Sequence, residues 1–143
     1  EYGCKIIKVY MADKYLYHLD CSIFPVNKED TMICSELFSK QEIKQIEKYT
    51  NIIDLTVDDC YSGITNNVRH HNVILNASNL WDLKQNSEEY KFEKVKNFHL
   101  EEIANKLGMG MTFINIDEFT KSGALLSCLV MHLNRNSYNI DLL

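Results

Sequence analysis

Two groups of residues in this 143-residue chain have the types and spacing to do chemistry together. His18 and Asp20 stand two residues apart in a run expected to be extended, so both side chains leave the same face of a strand. A histidine beside a carboxylate can move a proton and hold a cation. Such a pair is also common in strands without a function. Cys128 lies in LLSCLVMHL, directly after KSGALL. A cysteine among aliphatic residues usually serves as a small buried hydrophobe. Here, however, Gly123 lets the backbone turn closely, and Ser127 leaves room beside the thiol. An ionised thiol so presented is a nucleophile.

The remaining candidates read more simply as structure. His70 and His71 are adjacent, so on a strand or turn they face opposite ways and make a poor pair of metal ligands. His99 is expected near a helix start and His132 inside the last strand. Asp58-Asp59 follows a strand and suits a turn as well as a cleft. Trp81 and the Tyr90-Lys91-Phe92 run read as packing residues. The five cysteines, Cys4, Cys21, Cys34, Cys60 and Cys128, are odd in number and lack metal-ligand spacing, which argues against zinc and against a disulfide framework. Free thiols suit a cytoplasmic protein.

The elements that must position these residues alternate in type. Strands are expected over 4–10, 15–26 and 31–34, with a polar turn at Asn27–Asp30. Ser39 precedes Glu42 by three residues, the spacing of a capping box, and opens an amphipathic helix of about three turns. A strand follows at 51–56. The order then recurs, with strands at 64–68 and 73–76, a solvated excursion at 85–97, a helix at 98–107 ended by glycine, and strands at 111–116 and 125–133. Two ββαβ units make an α/β architecture with a repeated module.

Composition excludes several classes. With 45% apolar and 24% charged residues, the chain suits a globular domain rather than a disordered one. Its net charge is −5, and only Arg69 and Arg135 of fifteen basic residues are arginine, which argues against nucleic acid. No apolar run is long enough for a membrane span. The chain starts at Glu1 rather than methionine and soon enters an expected strand, as a piece of something longer would.

Three ordered blocks resemble the guanidine-modifying enzymes, the group of amidinotransferases, arginine deiminases and dimethylarginine dimethylaminohydrolases. They are YHLDCSIFPVN at 17–27, VDDCYSGITNNVRHHNVILN at 57–76 and IDEFTKSGALLSCLVMHLN at 116–134. The resemblance covers most of the chain. It implies a pentein-type α/β propeller of ββαβ modules, with residues 1–143 forming the C-terminal part of the catalytic domain. It also implies that Cys128 is the nucleophile, His18 the general acid/base and Asp20 a guanidinium-binding carboxylate.

The implied substrate is a small guanidino compound, arginine or a methylated arginine, with no metal or organic cofactor. Gly123-Ala124-Leu125-Leu126 departs from the consecutive glycines of the deiminase and amidinotransferase branches. Leu-Leu-Ser-Cys is similar to the animal dimethylarginine hydrolases, which often lack an aspartate equivalent to Asp20. The branch therefore stays open, as does the choice between water and an amine as acceptor. Homodimerisation or association with an N-terminal half is expected. The rival reading is a catalytically silent module that binds another protein through exposed strand edges.

Overall fold

A computed structural model of the chain describes residues 6–131. The first module consists of β1 (Ile23–Pro25), β2 (Asp30–Ile33), α1 (Lys40–Ile46) and β3 (Asn51–Asp54). Asn27 makes the hairpin turn, its Oδ1 accepting from the backbone N–H groups of Glu29 and Asp30. β1 pairs antiparallel with β2, and β3 pairs parallel with the other side of β2. A parallel neighbour needs a crossover, and α1 supplies it. Pro25, lacking an N–H, sits on edge strand β1, where no ladder bond is lost.

After α2 (Val57–Tyr61), the pattern repeats with β4 (Val68–His70), β5 (Val73–Ala77), α3 (Glu88–Lys106) and β6 (Gly110–Ile114). β4 and β5 are antiparallel, β5 and β6 parallel. The α/β class and the repeated ββαβ order therefore hold. Among the described residues there are two three-stranded sheets, β1-β2-β3 and β4-β5-β6.

Alternation along β2 sends Met32 into the core shared by both modules, with Val26, Leu55, Ile64, Ile74 and Leu100. Ile33 goes into a smaller cluster with Phe38 and Ile46 beneath α1. Arg69 adds a polar tie between the modules, its Nη1 donating to the Val26 carbonyl at 2.8 Å.

Several expected elements differ. Residues 6–10 form no strand. Ile7, Val9 and Met11 do alternate inward, but they pack on the Ile33–Phe38–Ile46 cluster rather than joining a ladder. Glu42 holds this segment, accepting from Tyr10 N–H at 2.7 Å while it completes the capping box with Ser39. α1 spans seven residues rather than three turns. The extended run at 15–26 shrinks to β1, because the chain first makes a 3-10 turn at Leu19–Cys21. Residues 64–67 are buried but not a strand; Asn67 Nδ2 donates to Ile64 O and Asn76 Nδ2 donates to Gly63 O and Asn67 Oδ1, bonds that hold the segment as a turn.

The solvated excursion is instead the first half of α3. Ser87 caps that helix, accepting from Tyr90 N–H, and Glu88, Glu89, Lys91 and Lys94 are exposed on it while Lys96 is buried. Gly108, at φ +66°, ends it: Met109 N–H reaches Ala104 O and Gly108 N–H reaches Asn105 O, the two bonds of a Schellman cap. Finally, no strand covers 125–131. A short helix α4 (Asp117–Thr120) and a 3-10 turn at Leu126–Leu129 take its place. The expected strand's last residues, with His132, lie outside the described residues, as does Cys4.

Candidate functional site

The 3-10 turn at Leu19–Cys21 places Asp20 at the surface of the first module, half-buried. The second 3-10 turn, Leu126–Leu129, comes from the other end of the described chain. Gly123, at φ +81°, reverses the backbone after α4, and Leu126 then plugs into the interior. With Leu126 inward, the tight turn leaves Cys128 exposed. The role expected of the KSGALL run, to turn the backbone and present the thiol, is thus met by a turn rather than a strand.

The two turns meet. Cys128 Sγ lies 3.7 Å from Asp20 Oδ2, within hydrogen-bonding distance for sulfur. The same oxygen accepts a short hydrogen bond from Ser127 Oγ and one from Asn66 Nδ2 at 3.1 Å. Asn66 Oδ1 accepts from Ser127 N–H at 2.8 Å, and its Nδ2 lies 3.9 Å from Cys128 Sγ. Cys21 Sγ is 3.9 Å from the other carboxylate oxygen of Asp20. An exposed thiol thus stands beside a carboxylate whose orientation is set by two donors.

His18 does not share a strand face with Asp20, because the 3-10 turn replaces the two-residue strand repeat. Its extended backbone immediately precedes that turn, and its ring stands edge-on to Tyr17 with centroids 4.5 Å apart. The described hydrogen bonds join Asp20, not His18, to Cys128.

The other described thiols are less exposed than Cys128. Burial pushes Cys34 and Cys60 up from the ordinary thiol range. Cys21 is raised as well, by burial first and then by the charge of Asp20.

The other candidates lie in other surroundings. His70 and His71 lie at the β4–β5 hairpin with rings 4.3 Å apart and T-shaped, and His71 adopts φ +51° there. No group of three or more histidine, cysteine or acidic side chains among the described residues could hold a metal ion. Asp59 belongs to the capping box of α2 with Thr56, and its carboxylate meets His99 Nδ1 at 3.1 Å. His99 is well inside α3 rather than near a helix start. Trp81 and Phe92 are 61% and 53% exposed, so neither is the packing residue expected. With Val95 and Phe98, they leave apolar surface uncovered on and beside α3.

Asn66 and the Ser127 hydroxyl were not among the expected site residues. Asn66 sat within a segment read as strand, and only the placement of residues 64–67 in a turn aims its side chain at Asp20.

The fold has known counterparts. The N-terminal domain of ArgZ bound to product, an arginine dihydrolase from the ornithine-ammonia cycle in cyanobacteria, superposes with a TM-score of 0.67 at 19% identity, over 88% of this chain and 41% of that one. AgrE in ternary complex with ornithine and NAD+ gives 0.66 at 16% identity, over 88% and 16%. Unliganded AgrE gives 0.65 at 17%, over the same shares. No protein-family profile and no curated protein sequence matches the chain. The described residues therefore share the fold of part of ArgZ and AgrE, and the chain spans 41% of the ArgZ N-terminal domain and 16% of AgrE. No helix among the described residues is long and apolar enough to cross a membrane.

Proposed function

We propose that the chain is the C-terminal part, residues 1–143, of a guanidine-modifying α/β-propeller domain, and that Cys128, His18 and Asp20 act on arginine or a methylated arginine. The observation that carries this reading is the 3.7 Å approach of the Cys128 thiol to the Asp20 carboxylate. The shared fold with arginine dihydrolases supports it.

A guanidinium carbon is a poor electrophile because its charge is delocalised. The site must therefore hold the cation and aim a strong nucleophile at it. A guanidinium nitrogen hydrogen-bonded to Asp20 brings the central carbon beside the sulfur, a near-attack arrangement. Cys128 Sγ, as the thiolate, forms a bond to that carbon. The C–N bond to the departing nitrogen then breaks, with His18 donating the proton that makes ammonia or an amine. The same histidine next takes a proton from water, whose oxygen attacks the amidino-thiol carbon. The C–S bond breaks, the ureido product leaves and the thiol is restored. An amine in place of water gives a new guanidine, making the protein an amidinotransferase rather than a hydrolase. No metal or organic cofactor takes part.

On this reading the remaining propeller modules, from an N-terminal half or a partner copy, complete the pocket. The free thiols fit a cytoplasmic setting. The test is turnover by the full-length protein of arginine and methylated arginines, following ureido product and released ammonia or amine, with and without an acceptor amine. Cys128→Ser eliminates turnover if the reading holds, and full activity in that variant contradicts it.

One observation favours a second reading, a silent module that binds a protein. Trp81, Phe92, Val95 and Phe98 expose apolar surface on and beside α3. A wild-type protein without turnover on any guanidine selects this reading.

A further inference from the structure

Resting on the guanidinium site just described, the geometry points to Asn66 as the positioning residue that holds Asp20 and the Cys128 turn in register. Asn66 is only 1% exposed, and both ends of its amide are used. Nδ2 donates to Asp20 Oδ2 at 3.1 Å, and Oδ1 accepts from Ser127 N–H at 2.8 Å. A carboxylate can only accept and a backbone N–H can only donate, so the orientation of the amide is fixed. One side chain from the second module thereby ties the substrate-binding carboxylate to the residue next to the nucleophile.

The loop that carries Asn66 is itself braced. Asn76 of β5 donates from Nδ2 to Gly63 O at 3.0 Å and to Asn67 Oδ1 at 2.8 Å. Asn67 in turn donates to Ile64 O at 2.7 Å. Gly63, at φ +79°, lets this loop pass Leu125, three residues before Cys128. A Cβ there would lie 3.1 Å from a Leu125 methyl. Residues 63–67 thus form a rigid shelf from which Asn66 reaches both turns. The role is positioning, because Asn66 aims Asp20 and the thiol at the substrate.

The experiment compares alkylation of Cys128 in the full-length protein by 2-chloroacetamidine and by 2-chloroacetamide. These reagents share a shape but differ in charge. Thiol nucleophilicity enters both rates alike, so their ratio reports how well Asp20 recognises a cation. Asn66→Ala is expected to lower the amidine-to-amide ratio roughly tenfold, through the lost hydrogen bond to a charged group. A purely structural role lowers the melting temperature and leaves the ratio in place.

Asn66→Asp keeps the size and the acceptor for Ser127 N–H but sets a second carboxylate against Asp20, so that the two share a proton. It is expected to lower the ratio at pH 6, with recovery toward pH 8 steeper than in the wild type. His18, Cys21 and Cys128, the other titratable groups on the two turns, are common to both proteins. Wild-type ratios in both variants overturn the role of Asn66. A wild-type protein with no amidine preference instead contradicts the guanidinium site itself.

Discussion

Asp20 and Cys128 are 108 positions apart in the chain and 3.7 Å apart in space. Two 3-10 turns, one ahead of the first module and one after the second, bring them together. Neither turn is large, and each depends on its module for support. Placement of the thiol beside the carboxylate is therefore a property of the whole ββαβ pair.

On the proposed reading, charge at Asp20 is the basis of cation recognition. Asp20→Asn retains an oxygen for Ser127 and Cys128 but removes the charge. Arginine binding by the full-length protein is expected to weaken about tenfold to a hundredfold, the usual range for a hydrogen bond to a charged group. Isothermal titration of the variant and the wild type checks this, and equal affinities count against Asp20.

Thiol reactivity should follow exposure. Cys128 is exposed, whereas Cys34 and Cys60 are buried with their thiols pushed up. In native protein treated briefly with iodoacetamide near neutral pH, peptide mapping is expected to find Cys128 carboxamidomethylated and Cys34 and Cys60 free. Modification at Cys60 ahead of Cys128 contradicts the packing described.

The α2 capping box predicts an acid dependence. Burial draws the Asp59 carboxyl upward, but the Thr56 N–H and hydroxyl and the neighbouring His99 outweigh it and hold the group below its ordinary value of 3.8. A carboxyl depressed on folding contributes stability that is full above the unfolded value and is lost as pH falls through the native one. Melting temperature should therefore fall below about pH 4. Asp59→Ala should cost about 1 kcal/mol at neutral pH and flatten that acid limb. Thermal melts from pH 7 to 2.5 test both.

Lys96 anchors α3 to β5. Its side chain is 5% exposed, and Nζ donates to Ala77 O at 2.7 Å and to Glu93 Oε1 at 2.6 Å. Lys96→Ala leaves a carboxylate and a carbonyl unpaired in a largely buried place, and a loss of roughly 3 kcal/mol is expected. Glu93→Gln/Lys96→Met, which removes both charges, should recover much of it. Urea denaturation of the single and double variants checks the order.

The local signals for the modules were strong in the sequence. Ser39 and Glu42 form the capping box that their spacing predicts, Asn27–Asp30 makes the turn, and β2, β3, β5 and β6 fall close to their expected places. Asp20 and Cys128 were legible as candidates, but the geometry that brings them together was not. His18 and Asp20 look like a strand pair because Tyr15, Tyr17 and Ile23 favour extended backbone, yet Leu16 is buried and the chain must turn before β1. Leu125 to Val130 has the composition of a strand, but it becomes a 3-10 turn with Leu126 directed inward. Asn66 carried no signal at all, since its partners lie 46 and 61 residues away.

Cys128 is proposed as the activated thiol of a guanidinium site. Mass spectrometry of the full-length protein after incubation with 2-chloroacetamidine tests it most directly. One adduct is expected, on Cys128, whose formation is suppressed by arginine and absent in Cys128→Ser. No adduct at Cys128, or labelling there that arginine does not slow, contradicts it.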